Sequence, residues 1–380
     1  MLNTSARTAY NDDHEMFRDS VRKFFDKELI PNLDRYEAEG IVDRKFWKAS
    51  GDAGLLCPGV NEKYGGPGLD FRYNAIVGEE LTYAASSAGI VLQSDVIADY
   101  FQNFGTEEQK SRWLPPMVTG DAITAIAMTE PGTGSDLKAI RTTAIRDGDE
   151  YVINGSKTYI TNGQNADVVI VVAKTDPAAG AKGISLILVE STREGYKRGR
   201  NLDKIGMNSA DTSELFFSDV RVPVSNLLGQ EGQGFIHLMK QLPQERLSIA
   251  VLAQASAQRA FDEAVKFTKE RSAFGGKVFD LQNTRFELAD MAAKLQVAWA
   301  HLDWALLRHV AGKLTTAEAS AAKLFHSELQ FEICDRALQL HGGAGYMNEY
   351  LIARLWRDSR VSRIYGGTSE IMKEVIGRSL

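Results

Sequence analysis

Cysteine is nearly missing. Only Cys57 and Cys334 carry a thiol, too few and too far apart for a disulfide framework, so a reducing, cytoplasmic setting is expected. Long apolar runs are missing too. None approaches the ~18 residues that a membrane span needs. Met1 to His14 is polar and has neither the apolar core of a signal peptide nor the arginine-rich pattern of a transit peptide. No membrane span is expected, and a mitochondrial matrix setting would require a processed chain. An excess of basic charge is also lacking: net charge −6 and a pI near 5.7 argue against nucleic-acid and anionic-membrane partners. The chain has no CxxC pair, HExxH, GxSxG elbow or Walker loop. Its six histidines (14, 237, 301, 309, 326 and 341) do not fall into metal-ligand spacing, so no metal is expected.

What is present divides into three textures. Residues 1–121 read as helical. Met16, Phe17, Val21, Phe24, Phe25 and Leu29 recur at helical spacing after Asp12-Asp13, and Pro31 is expected to end the run. A turn-rich connector at 57–70 leads to a helix pair at about 72–82 and about 94–117, ended by Pro115-Pro116. Residues 122–235 carry short β-branched runs separated by Asp147-Gly148, Asn154-Gly155 and Asn162-Gly163, which are tight-turn signals. No long helix alternates with these runs, so a small all-β domain is expected rather than a Rossmann sheet. Over 236–380 helices return. One is expected from about Pro243 to Arg271. A second carries the stripe Leu281, Leu288, Met291, Leu295, Trp299, Leu302 and Leu306. Thr315-x-x-Glu318 is a capping box opening a third, with the stripe Phe325, Leu329, Ile333, Ala337 and Leu340. A last helix follows Thr368. The class is α+β, ending in a four-helix bundle.

Four stretches could carry chemistry. Thr129 to Asp136 (TEPGTGSD) is made of turn residues, yet its two glycines and its hydroxyls also suit a flavin edge or a diphosphate. Lys157 to Gly163 (KTYITNG) puts the Tyr159 ring and the Thr161 hydroxyl two residues apart on one strand face. Arg363 to Glu370 (RIYGGTSE) offers Gly366-Gly367 for close backbone approach and Thr368 as a helix cap. Gln241 to Leu247 (QLPQERL) places Pro243 at the first position of a helix and Glu245 in its first turn, near the positive end of the dipole. Glu245 there is either a plain capping charge or a catalytic base.

The chain resembles the acyl-CoA dehydrogenase family over essentially its whole length. The matching motifs are TEPGTGSD at 129–136, NGSKTYITNG at 154–163, ERSAFG at 270–275, QLHGGAGYM at 339–347 and IYGGTSEI at 364–371, in order. The resemblance implies an N-terminal helical domain, a middle β-barrel-like domain and a C-terminal four-helix bundle. It also implies bound FAD and a homotetramer, a dimer of dimers. Carried over residue by residue, Met128, Thr129, Gly134 and Ser135 would hold the flavin ring and diphosphate. Tyr159 and Thr161 would cover other parts of the ring, with Thr161 near N5. Arg271, Phe274, Gln282, Gln339 and Gly343 would approach the FAD of a neighbouring subunit, and Thr368 and Glu370 the adenosine half. Ser135, Arg246 and Gly366 would meet the substrate, with the Gly366 N–H on the thioester oxygen.

One departure matters. Many family members read Tyr-Glu-Gly-Thr where this chain reads Tyr365-Gly-Gly-Thr368, and that glutamate is their base. In the long-chain and isovaleryl-CoA types the base is instead a glutamate preceding an arginine at the start of the first long bundle helix. Glu245-Arg246 matches it, and the long-chain type fits best. The activity implied is FAD-dependent α,β-dehydrogenation of a medium- to long-chain acyl-CoA to trans-2-enoyl-CoA. An electron-transferring flavoprotein is the implied acceptor, in fatty-acid β-oxidation. A branched-chain (isovaleryl-like) dehydrogenase and an O₂-using flavin oxidase or monooxygenase are the alternatives.

Overall fold

Asn11 opens the first helix, its side chain accepting the His14 N–H at 3.2 Å, and Asp12 and Asp13 fill the first turn. This computed structural model describes residues 7–380; of the polar start, residues 1–6 lie outside the described range. Helix α1 (Asp12–Phe24) does not stop at Pro31. A π-helical turn, Phe25–Leu29, and a 3₁₀ turn, Ile30–Asn32, carry the chain into α2 (Leu33–Glu39). The wide turn lets the Ile30 N–H reach the Phe25 carbonyl, so Pro31 sits where its missing donor costs little. Gly40, at φ +73°, ends the run instead.

Helix α3 (Arg44–Asp52), too short to stand out by periodicity, and α4 (Phe71–Tyr83) follow. The single helix expected near 94–117 is three pieces. A π-helical segment, Leu92–Ile97, leads into α5 (Ala98–Phe104); Gly105 then breaks the chain before α6 (Glu107–Val118). A capping box between Thr106 and Gln109 starts α6 afresh, and Pro115 and Pro116 lie inside it rather than ending it.

The middle region is one sheet. Its strands are β1 (Thr124–Ala127), β2 (Thr143–Asp147), β3 (Glu150–Thr161), β4 (Val168–Lys174), β5 (Ile184–Glu190), β6 (Tyr196–Asn201), β7 (Thr212–Pro223) and β8 (Leu227–Leu228). The order is β6-β7-β3-β2-β4-β5-β8, with β1 parallel to β4. Strands β2 and β6 carry no uninterrupted apolar run. Their sequences, TAIRD and YKRGRN, are too polar to announce a strand, and pairing with β3 and β7 recruits them. β4 and β5 are apolar on both faces. Val168, Ile170 and Val172 join the core of the N-terminal helices, whereas Val169, Val171 and Ala173 join the sheet's own core. The two regions thus share β4 as a common wall.

Helix α7 (Gly234–Glu270) follows. A two-stranded ribbon, β9 (Ser272–Ala273) and β10 (Gly276–Lys277), turns the chain into α8 (Gln282–Val310). Then come α9 (Thr316–His341), α10 (Leu351–Ser359), unannounced by any long stripe, and α11 (Ser369–Gly377). The expected capping box at Thr315 and Glu318 opens α9. Leu281 and Phe325 leave their predicted stripes: they are 39% and 44% exposed, Leu281 because it precedes the first turn of α8. α7 and α9 run parallel, since Arg246 meets Ser320 near their starts and Phe267 stacks on His341 near their ends. α8 runs back, so His309 near its end meets Gln244 near the start of α7. Among the described residues, no helix is long and apolar enough to cross a membrane.

Candidate active site

Helix α7 begins nine residues earlier than expected. Phe235, Leu238 and Leu242 already recur at helical spacing, and Gly229 and Gly232, both at positive φ, supply the turn before it. Pro243 therefore lies inside the helix, and the Met239 carbonyl loses its usual donor. Glu245 stands about three turns in, beyond the first turn where the macrodipole acts. The dipole does not hold its pKa down.

Burial decides it instead. Desolvation pushes the Glu245 carboxyl up to about 7. A hydrogen bond from the Tyr100 hydroxyl at 2.9 Å and the charge of Arg246 pull the other way, while the charge of Asp99 adds to the rise. Two further carboxyls stand nearby on the same segment. Asp95, pushed up to about 7 by burial, accepts from Ser248 Oγ at 2.5 Å and Asn74 Nδ2 at 3.1 Å. Asp99, pushed up to about 6 by burial, is bonded by the amides of Gln244 and Gln102. Gln244 fastens the group together: its Nε2 donates to the Asp95 carbonyl at 2.6 Å and its Oε1 accepts from His309 Nε2 at 2.9 Å. Burial drops His309 to about 4, so its ring is neutral.

The Gly366–Gly367 turn packs on α7 at Ile249, one turn beyond Glu245. Both glycines have positive φ, +64° and +97°. A Cβ on Gly366 would come within 2.2 Å of Ile249 Cδ1, so that backbone touches α7 one turn beyond Glu245. The buried Lys323 ammonium donates to the Gly367 carbonyl at 2.7 Å and fixes the turn to α9. Burial, with the charge of Arg246, holds Lys323 down at about 8. Arg246 is itself buried. Its Nη1 donates to Ser320 Oγ at 3.0 Å, whereas its Nε has no partner. The Glu245-Arg246 pair and Gly366, more than a hundred residues apart in the chain, thus lie on and against the same stretch of α7. No local motif pointed to Asp99, Tyr100, Ile249 or Lys323, because each matters only through a neighbour on another helix.

The flavin-motif residues form a second group at the end of β1 and β3. Buried Glu130 accepts the Arg141 and Thr142 N–H groups and pairs with Lys157 Nζ at 2.9 Å; Lys157 also donates to the Met128 carbonyl. The Thr158 N–H bonds the Thr129 carbonyl. These ties hold the loop while leaving its outer side open: a Cβ on Gly132 or Gly134 would meet nothing within 4 Å, and Ser135 is exposed. The two-residue spacing of Tyr159 and Thr161 hides an irregularity in β3, where Tyr159 takes φ +59° and stands 70% exposed while Thr161 is half-buried. An open backbone loop beside a bare aromatic ring fits a flat cofactor with a diphosphate.

The remaining motif residues lie elsewhere. Arg271, Phe274, Gln282, Gln339 and Gly343 gather at the far end of the bundle, about 38 Å from Glu245 along α7 at 1.5 Å per residue. Phe274 is 94% exposed there. Thr368 caps α11 by accepting the Ile371 N–H, and Glu370 follows it, exposed.

A desolvated carboxylate lifted toward neutrality, a pinned glycine turn packed on the same helix and an open loop suited to a flat cofactor are the parts that proton abstraction coupled to redox chemistry requires; the family established below makes the chain an oxidoreductase acting on CH–CH bonds. The comparisons agree. Family profiles described as acyl-CoA dehydrogenase N-terminal, middle and C-terminal domains match residues 11–121, 125–220 and 232–380. The chain belongs to the acyl-CoA dehydrogenase family, whose cofactor is FAD. It is 48% identical to the long-chain specific acyl-CoA dehydrogenase, mitochondrial, of Sus scrofa, over 98% of this chain and 88% of that one. An acyl-CoA dehydrogenase structure from Geobacillus kaustophilus superposes with a TM-score of 0.97 at 48% identity, covering 98% of this chain and 99% of that one. A glutaryl-CoA dehydrogenase from Mycobacterium smegmatis in complex with FADH2 gives 0.91 at 28% identity, over 98% and 95%.

Proposed function

We propose that this chain dehydrogenates medium- to long-chain acyl-CoA thioesters to trans-2-enoyl-CoA, with Glu245 as the base, and passes the electrons to an electron-transferring flavoprotein. The observation that carries this reading is the Glu245 carboxyl, held by Tyr100 and lifted to about 7, on the helix that the Gly366 backbone touches.

An α-C–H of a thioester is a very weak acid, so its removal needs both a base matched to neutral pH and a polarised carbonyl. Glu245 meets the first need: near pH 7 it is ionised enough to accept the proton and basic enough to hold it. The Gly366 N–H meets the second by donating to the thioester oxygen, and Lys323 keeps that N–H aimed by holding the next carbonyl. Met128, Thr129, Gly134, Ser135, Tyr159 and Thr161 would bind FAD, which supplies hydride acceptance from the β-carbon. Arg271, Phe274, Gln282, Gln339 and Gly343 are assigned to the FAD of a neighbouring subunit, as the family resemblance implies, and their place at the far end of the bundle from Glu245 suits that role. The long-chain relative at 48% identity supports the chain length, and the missing side chain at 366 supports the long-chain placement of the base. Anaerobic flavin bleaching across a panel of straight and branched acyl-CoAs tests the substrate. Maximal bleaching by C8–C16 thioesters is expected; a response confined to isovaleryl-CoA would replace this reading with the branched-chain one. Rapid reoxidation by an electron-transferring flavoprotein, with little hydrogen peroxide in air, is expected of the acceptor.

A further inference from the structure

Glu130 and Lys157 take part in no step above, yet they lie beneath the loop assigned to the flavin. Both are buried, Lys157 completely. The Glu130 carboxylate is shared among three strands. Its Oε2 accepts the Arg141 N–H at 2.6 Å and its Oε1 the Thr142 N–H at 2.9 Å, just before β2 begins. Oε1 also accepts from Lys157 Nζ of β3 at 2.9 Å. The same ammonium donates at 3.0 Å to the carbonyl of Met128, the residue after β1. Glu130 and Thr133 close the first turn of the loop by exchanging N–H···O bonds of 2.9 and 3.0 Å. One carboxylate thus gathers both ends of the segment 131–140.

We propose that Glu130 and Lys157 are positioning residues for the cofactor: the buried pair holds the 128–142 backbone in its binding shape before FAD arrives, and the tightness of FAD binding depends on it. This rests on the assignment of that loop to FAD above. For stability alone a buried ion pair does no better than apolar side chains of similar volume. What the charges add is direction. The carboxylate aims two consecutive N–H groups and the ammonium aims a carbonyl, all through charge-assisted bonds. Closing a loop and fixing its dihedrals costs conformational entropy. Where the pair has already ordered the backbone, FAD binding loses none of its free energy to that ordering.

The test is the FAD dissociation constant of the flavin-free full chain, read by fluorescence titration beside its denaturation midpoint and its amide hydrogen exchange. Glu130→Gln with Lys157→Met removes both charges and leaves neither partner buried alone, so the midpoint should stay near the parent's. The FAD dissociation constant should rise on the order of tenfold to a hundredfold. At least one of the Arg141 and Thr142 amides should lose protection in the flavin-free variant, while those of β4 and β5 keep theirs. Weaker FAD binding at unchanged stability does not arise from a pair that only supports the fold. Lys157→Met alone leaves the carboxylate its two N–H donors and should weaken FAD binding on the order of tenfold, even if the double variant fails to fold. Parent-like FAD affinity in either variant would overturn the proposal, as would unprotected Arg141 and Thr142 amides in the flavin-free parent. Gly134→Val checks the loop assignment separately. Gly134 is outside the left-handed region and a Cβ there meets nothing within 4 Å, so the change should spare the midpoint and abolish FAD binding. Parent-like FAD binding by Gly134→Val would instead overturn the assignment of the loop to FAD.

Discussion

Replacing Glu245 with Gln should remove nearly all activity and raise stability. Gln keeps the shape and can still accept from Tyr100, but it cannot take a proton. General-base catalysis contributes about 10²–10⁴-fold, so turnover should fall on the order of a thousandfold while FAD content stays unchanged. The stability gain follows from the lift in pKa. Moving a carboxyl from 4.5 to about 7 corresponds to about 3 kcal/mol at 1.36 kcal/mol per pH unit. The group keeps some solvent contact, so about 2 kcal/mol is the working figure. A folded-state pKa above the unfolded one favours the protonated form. The parent therefore loses stability relative to the variant as pH rises from 4.5 through about 7, and the gap is constant above that. Stopped-flow bleaching of the flavin and thermal unfolding at pH 5 and 8.5 measure both effects. Near-normal bleaching by the variant, or equal stability of the two proteins at pH 8.5, would refute the reasoning.

Other outcomes follow from the same geometry. Parent kcat/KM should rise about tenfold per pH unit up to about pH 7 and then level off, as Glu245 loses its proton. Gly366→Ala forces a side chain into positive φ and against Ile249 Cδ1, and should cost on the order of 10²-fold in kcat by displacing the thioester donor. Adding Ile249→Val, which removes that atom, should recover part of the loss in the same assay. Lys323→Met frees the Gly367 carbonyl and should lower kcat on the order of tenfold or more without loss of flavin absorbance. Asp303→Asn breaks the buried network in which Arg7 bonds Asp303 at 2.5 Å and Glu79 at 3.2 Å. It should cost about 3–5 kcal/mol in chemical denaturation.

The three textures of the chain, the capping box at Thr315 and the apolar strands β4 and β5 could be read from local pattern alone. Periodicity and capping act over a few residues, and a sequence displays such spans directly. Glu245 and Gly366 were singled out by motif resemblance, because the local pattern around Glu245 leaves a capping charge and a base equally open. Local rules failed where a neighbour overrode them. Pro31 and Pro243 looked like helix boundaries, but a π-helical turn absorbs the first and α7 continues through the second. β2 and β6 exist because β3 and β7 offer them hydrogen bonds. The state of Glu245 was decided by tertiary structure in the same way. Placed in a first turn it would have a lowered pKa. Placed three turns into α7, under Tyr100 and beside Asp99, it is lifted to about 7. The sequence determined which residues could serve as base, turn and cofactor loop. Folding decided how far water is excluded from the Glu245 carboxyl and which charges face it, and a pKa depends on both.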